Sequence, residues 1–317
     1  MTNSVQTKSF KTFIVKIAAF VLIVFVLDFM IGSLLKKFYF KQQGGYDYLT
    51  TYSIDHTSQD VLIFGSSRAV NIFDPAIFTN RTGLSCFNVG RYGEPVFYHY
   101  AVLKSVLERY QPKRIILSFD AGNFSKAEES YDRISVLLPY YRDHPEMDSI
   151  ISLKGRYEKL KLLSRIYPYN SLVLPIITGN TSYSKKKYPH YNGYIPISRT
   201  FSGPLQTFDY AKEKVLDTNK INIYKAFIRD CIKAKIPLHI VCPPYMINAV
   251  GTDSSISVGK VIANEFNIPF LDHSRDTFYT TKPALFADYR HLNDKGVALF
   301  SNMIIDKIYG VGSPGER

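Results

Sequence analysis

The chain has 317 residues, 46% of them hydrophobic, and its 39 Lys and Arg against 27 Asp and Glu give a net charge of +12. That length supports one full core with an insertion, and three cysteines without a C-x-x-C pair exclude a disulfide framework and a structural zinc site. The positive charge calls for an anionic neighbour such as phospholipid or an acidic polymer; with no helix-turn-helix, zinc-finger or RNA-binding signature, nucleic acid is set aside.

The chain opens on a nearly unbroken apolar span. Between residues 13 and 35 only Lys16, Asp28, Gly32 and Ser33 interrupt it, and residues 17–27 are wholly apolar. About 20 apolar residues cross a bilayer as a helix, whereas 10–14 suit a signal-peptide core. No small-x-small cleavage site follows. Residues 1–41 therefore read as a short tail and a transmembrane anchor, and residues 42–317 as the globular domain. Lys16 can snorkel to the near interface, while Asp28 needs a partner. Lys8, Lys11 and Lys16 are balanced by Lys36, Lys37 and Lys41, so the positive-inside rule does not choose an orientation. A short tail ahead of a large domain places the tail in the cytoplasm and the domain on the outer side of the cytoplasmic membrane.

After a flexible break at Gln42-Gln43-Gly44-Gly45 and a polar, aromatic lead-in over 46–58, the pattern alternates. Strands are predicted at 61–64, 84–89, 114–119, 238–242 and 269–271. Helices are predicted through about residue 78, then over 96–110, 221–235, 258–266 and 294–309. Such alternation means a parallel sheet covered by helices on both faces, with functional groups gathered at the carboxyl ends of the strands. Ser67 follows the first strand, Gly93 lies beyond the second, Asn123 follows the third, and Asp288 and His291 follow the last. All of these candidates fall on one rim. Between about 125 and 215 the alternation fails. This insertion is rich in Tyr and Lys, with Tyr140-Tyr141, Tyr167-Pro168-Tyr169 and Lys185-Lys186-Lys187-Tyr188, and with Arg156, Lys159, Lys161 and Arg165 at helical spacing. It reads either as a cap that grips a polysaccharide or anionic polymer, or as a solvated face beside membrane headgroups.

Two short motifs carry the chemistry. Residues 61–68 read Val-Leu-Ile-Phe-Gly-Ser-Ser-Arg, an apolar strand stopped by a turn that presents a hydroxyl; residues 288–296 read Asp-Tyr-Arg-His-Leu-Asn-Asp-Lys-Gly. A serine hydroxyl needs a base to take its proton, and the base needs an orienter. Ser67 fits the nucleophile, His291 the base and Asp288 the orienter, while Ser66 suits a turn or N-cap. The negative charge of a tetrahedral intermediate needs donors, which the Gly93 N–H and the Asn123 carboxamide can supply. Each motif alone is common; their order, at the two ends of an alternating pattern, joins them, and the Ser67 hydroxyl is predicted within hydrogen-bonding range of the His291 ring. Arg68 suits either an anion site or a structural ion pair. The other histidines (His56, His99, His144, His190, His239 and His273) lack a partner at useful spacing and read as structural. No metal cluster or phosphate-cradling loop is visible, so no cofactor is expected.

The combination resembles the SGNH (GDSL-type) hydrolases, a flavodoxin-like α/β sandwich family of esterases, lipases and acyltransferases, over most of the chain outside the anchor and insertion. Gly65-Ser66-Ser67 stands where that family has Gly-Asp-Ser. Asn88…Gly93 is similar to its second block and implies the Gly93 N–H as an oxyanion donor. Asp288-x-x-His291, followed by Leu-Asn and a Gly, matches its final block. The third block departs: where the family has Gly-x-Asn-Asp, this chain has Phe119-Asp120-Ala-Gly122-Asn123-Phe124, with Asn123 or Asp120 at the equivalent position. With its single anchor the chain is similar to the membrane-anchored branch, which includes proteins of teichoic-acid D-alanylation and exopolysaccharide O-acetylation. The resemblance implies a serine esterase or O-acyltransferase, acetyl as the acyl group, a cell-envelope glycan as substrate, and a multipass membrane O-acyltransferase as partner. The alternative from another class is a non-catalytic envelope assembly factor that retains the fold and binds polymer.

Overall fold

Strand β1 (Val61–Phe64) is a four-residue apolar run with every side chain buried, and it sits inside a parallel sheet. The computed structural model describes residues 2–181, 190–210 and 215–310; Lys185-Lys186-Lys187-Tyr188 lie outside that range. The remaining strands are β2 (Cys86–Asn88), β3 (Arg114–Ser118), β4 (Gln206–Asp209), β5 (Leu238–Cys242), β6 (Ile247–Val250) and β7 (Phe270–Asp272). The main sheet runs β2-β1-β3-β5-β7 with every neighbouring pair parallel. Counted within that sheet the order is 2-1-3-4-5, the flavodoxin-like arrangement, whose crevice for ligands opens between β1 and β3 at their carboxyl ends.

Alternation along the strands builds the two covering layers. Leu62 and Phe64 of β1 and Ile115 and Leu117 of β3 pack with helices Val96–Arg109, Thr218–Lys233 and Ser254–Glu265. Val61, Ile63 and Ile116 point the other way, toward helices Ser67–Ile72, Pro75–Thr82 and Asp294–Tyr309. Each fully buried Leu, Ile or Phe contributes about 1.5–3 kcal/mol, so these two apolar layers hold the sheet and thereby fix its rim. The α/β sandwich read from the sequence is the one observed.

Some boundaries move for local reasons. The helix expected to continue to residue 78 is two helices, because Pro75 disfavours a helical residue before it; Asp74 is extended and its side chain caps Ala76 N. The helix expected at 258 starts at Ser254, where Asp253 accepts from Ile256 N. The parallel pair β4–β6 was not foreseen, since β4 lies inside the irregular insertion.

Ser125 and Leu216 form an antiparallel bridge, so the insertion leaves and rejoins the core at one place. Two of its tyrosines turn inward, while Tyr157 and Tyr191 are exposed. Tyr140 and Tyr169 are buried, and their rings pack at 5.9 and 5.7 Å from the Tyr39 ring at the base of the N-terminal helix. That helix (Thr2–Phe40) is long and apolar enough over residues 10–40 to cross a membrane. Asp28, the polar residue that needed a partner, accepts from Ser164 Oγ at 2.5 Å and from the backbone N–H groups of Arg165 and Ile166.

Candidate active site

The turn after β1 is built for a close approach. Gly65 has φ +142°, and a Cβ there would lie 2.7 Å from Ser118 Cβ and 2.9 Å from Ala69 Cβ. Only glycine takes this conformation without strain. Ser66 then caps the short helix that follows, its Oγ accepting from Arg68 N, and Ser67 opens that helix with its side chain partly exposed. Ser67 Oγ lies 2.9 Å from His291 Nε2. His291 Nδ1 in turn lies 2.9 and 3.1 Å from the two oxygens of Asp288. Residues 224 positions apart are thereby brought into one hydrogen-bonded row.

The Asp288-x-x-His291 turn is held by its own backbone. Asp288 Oδ1 accepts from Arg290 N and His291 N at 2.9 and 3.0 Å, and Arg199 Nη2 donates to Oδ2 at 2.9 Å. Burial pushes the Asp288 carboxyl up, but hydrogen bonds from the His291 ring, the Arg290 N–H and the Arg199 guanidinium together hold it well below the usual carboxylate range. An ionised carboxylate is what keeps a proton on the facing Nδ1. The Nε2 lone pair then faces the serine.

The other candidates occupy the same rim. Gly93, at φ +70° in the turn after β2, packs under the Arg133 guanidinium, 2.7 Å from where a Cβ would lie. Its N–H has no hydrogen-bond partner among the described residues. Gly90 is committed differently, since its N–H is taken by Asn88 Oδ1 at 3.0 Å. Asn123 lies in the loop after β3, where Gly122 N donates to Asp253 and Ala121 N to Tyr245 Oη. The Asn123 carboxamide has no hydrogen-bond partner among the described residues, and so none to Ser67 or His291. Asp120 is the residue of this loop that reaches the nucleophile turn, accepting from Ser66 Oγ across the β1/β3 crevice.

Arg68 is fully buried. It stacks 3.4 Å from the centre of the Tyr245 ring, donates to Pro244 O at 2.9 Å, and lies 3.7 Å from Asp120. Of its two sequence readings the geometry takes the structural ion pair; a desolvated cation on an aromatic face is worth about 2 kcal/mol. Arg199 and Tyr245 were not singled out from sequence. Arg199 arrives on the return limb of the insertion, 89 residues from Asp288, with no motif around it. Beside the turn a cavity of about 330 Å³ is lined by residues that include Ala121, Tyr245, Phe208, Tyr289 and Arg290. The Phe208 and Tyr289 rings stack there at 5.7 Å. Tyr289 and Arg290 lie between Asp288 and His291 in the chain, so the cavity shares that turn with the imidazole.

No protein-family model matches the chain, and no curated protein matches it by sequence. Among solved structures it is similar to an acetyl xylan esterase at 13% identity, covering 78% of this chain and 99% of that one with a TM-score of 0.40. It is also similar to a lipase/acylhydrolase from Enterococcus faecalis at 13% identity, covering 82% and 100% with a TM-score of 0.36. The fold assignment rests on the strand order and the two packed layers, not on these distant likenesses.

Proposed function

We propose that the chain is a membrane-anchored serine acyl-ester enzyme acting on a cell-envelope polysaccharide. The observation that carries this is the row Ser67 Oγ–His291 Nε2–His291 Nδ1–Asp288 at the carboxyl ends of a parallel sheet. His291 takes the Ser67 proton as Oγ forms a bond to the ester carbonyl carbon. The resulting oxyanion is held by the Gly93 N–H and the Asn123 carboxamide, two donors left without other partners. As the intermediate collapses the ester C–O bond breaks, and His291 passes its proton to the departing alkoxide. The acyl-Ser67 ester is then released to water, as in an esterase, or to a sugar hydroxyl, as in an O-acyltransferase. Asp288 stabilises the imidazolium formed at each half-step.

A glycan acceptor agrees with the aromatic lining of the cavity, where Phe208, Tyr210, Tyr245 and Tyr289 supply ring surface of the kind sugars pack against. Acetyl as the acyl group, and a multipass membrane O-acyltransferase as its supplier, rest on the family resemblance alone. The domain is proposed to face the outside of the cytoplasmic membrane. The test is turnover of p-nitrophenyl acetate by the full chain in detergent, with and without an added polysaccharide. Release of p-nitrophenol that disappears in Ser67→Ala and His291→Ala supports the reading; acetate appearing on the polysaccharide selects the transferase. A folded wild type that neither turns over ester nor differs from Ser67→Ala would leave a non-catalytic binding protein as the better description.

A further inference from the structure

Residues 157–181 of the insertion are clamped along the outer part of the N-terminal helix. Ser164 Oγ, Arg165 N and Ile166 N all donate to Asp28. At Gly32 a Cβ would lie 2.5 Å from the Arg165 carbonyl carbon, so glycine lets the two backbones touch. The Arg165 guanidinium covers the Phe29 ring at 4.4 Å. Farther along, Asn180 Nδ2 donates to Phe38 O at 2.8 Å, and Gln43 N donates to Gly179 O at 3.1 Å. These contacts fix the level of the segment on the helix.

That level falls at a membrane boundary. A hydrocarbon core of about 30 Å takes about 20 helical residues, so a span starting between Lys11 and Lys16 ends at about residues 31–36. The rung from Asp28 to Gly32 then lies at or just inside the outer boundary. Around it the segment turns apolar side chains outward: Tyr157, Leu160, Leu163, Val173, Leu174 and Ile177 are 42–74% exposed. Leu162 and Ile176, from the same turns, are buried against the core. Arg156, Lys159 and Lys161 are exposed in the same stretch. Outward apolar residues flanked by cations are the composition of an element that lies in the headgroup layer, where Lys and Arg are drawn to anionic lipid.

We propose that residues 157–177 form a second, monotopic membrane contact, with Leu160, Leu163, Leu174 and Ile177 sunk into the outer leaflet beside the span. The occupant of this face is the lipid bilayer. The inference rests on reading the N-terminal helix as a membrane span. Its consequence is mechanical: two contacts joined through Asp28 and Gly32 hold the domain at a fixed height and tilt, where a single helix would be a tether. The Ser67 rim therefore meets polymer at a set distance from the surface.

The chain contains no tryptophan, so single reporters are read without background. F20W (in the span), L174W and I177W (on the patch) and L299W (an exposed site on the terminal helix) are each reconstituted as full chains. The vesicles are brominated phosphatidylcholine with a fraction of phosphatidylglycerol. L174W and I177W are expected to emit to the blue of L299W, to be quenched by the bromines comparably to F20W, and to be shielded from iodide. L299W should show the reverse. If F20W is quenched while L174W and I177W behave like L299W, the patch is not in lipid and the proposal fails with the anchor intact. Patch reporters shielded from both quenchers would put protein, not lipid, on this face and overturn it. An unquenched F20W would overturn the span reading itself.

Discussion

Ser67 and Ser105 each lie against a histidine that is bonded to a carboxylate, and the two clusters differ in how the imidazole is spent. His291 gives one nitrogen to Asp288 and leaves Nε2 facing Ser67 Oγ at 2.9 Å. His144 has both nitrogens committed: Nε2 lies 2.9 Å from Asp55 and Nδ1 lies 2.8 Å from Glu146. Ser105 Oγ is 3.4 Å from that same Nδ1 and donates its own proton to Glu146. Burial lowers the His144 pKa, but its hydrogen bonds and charge pairing with the two carboxylates carry it above the usual value. With both ring nitrogens held by carboxylates, His144 has no free nitrogen to offer Ser105 as a base. Ser105 is also only 1% exposed, in the helix Val96–Arg109, whereas Ser67 is partly exposed at the rim. A serine, a histidine and an acid in contact are thus not enough. The chemistry requires one uncommitted nitrogen and an open approach.

Ser67→Ala is expected to cost at least about 10³-fold in ester turnover with little change in stability. Ser105→Ala should leave turnover unchanged and lower the urea-unfolding free energy by about 1 kcal/mol. Paired kinetics and denaturation of the two variants break the comparison if Ser105→Ala proves the slower enzyme. Asn123→Ala should lower kcat by about 10²-fold if its carboxamide holds the oxyanion; an unchanged kcat would remove it from the site. Arg199→Ala should have a smaller effect, about fivefold or less, because its side chain is 67% exposed and an exposed ion pair is worth about 0.2–1 kcal/mol.

The smallest effect is a pH dependence in the second cluster. A histidine whose folded pKa is raised contributes stability that is fully present below its unfolded value, about 6.5, and is lost as pH rises through the folded value. The stability advantage of wild type over His144→Ala, read from urea midpoints, should therefore be largest near pH 5–6 and shrink toward pH 9. An advantage that grew with pH would mean that His144 is held neutral.

Much of this was legible in the sequence for identifiable reasons. The apolar run at 61–64 ending in Gly65 announces a buried strand and a tight turn, and Asp288-x-x-His291 places an acid three residues from an imidazole. Local patterns also place the covering helices, because their apolar spacing is intrinsic. What the sequence did not reveal is mostly long-range. His144 and His273 were read as having no partner; His144 meets Asp55 from 89 positions away, and His273 meets Asp276 within its own turn. The tyrosines of the insertion look like a surface for polymer, and the base of the N-terminal helix draws Tyr140 and Tyr169 inward. In the third block, Phe64 pairs in register with Leu117, which brings the turn after β1 opposite Asp120. Arg199 offers no local signal at all.

The most direct test of an activated Ser67 is covalent capture with a fluorophosphonate, followed by peptide mass mapping of the full chain in detergent. One phosphonyl adduct is expected, on the peptide carrying Ser67, absent in Ser67→Ala and in His291→Ala, with the Ser105 peptide unmodified. A folded chain that takes no label, or one labelled on Ser105 and not on Ser67, would contradict the account.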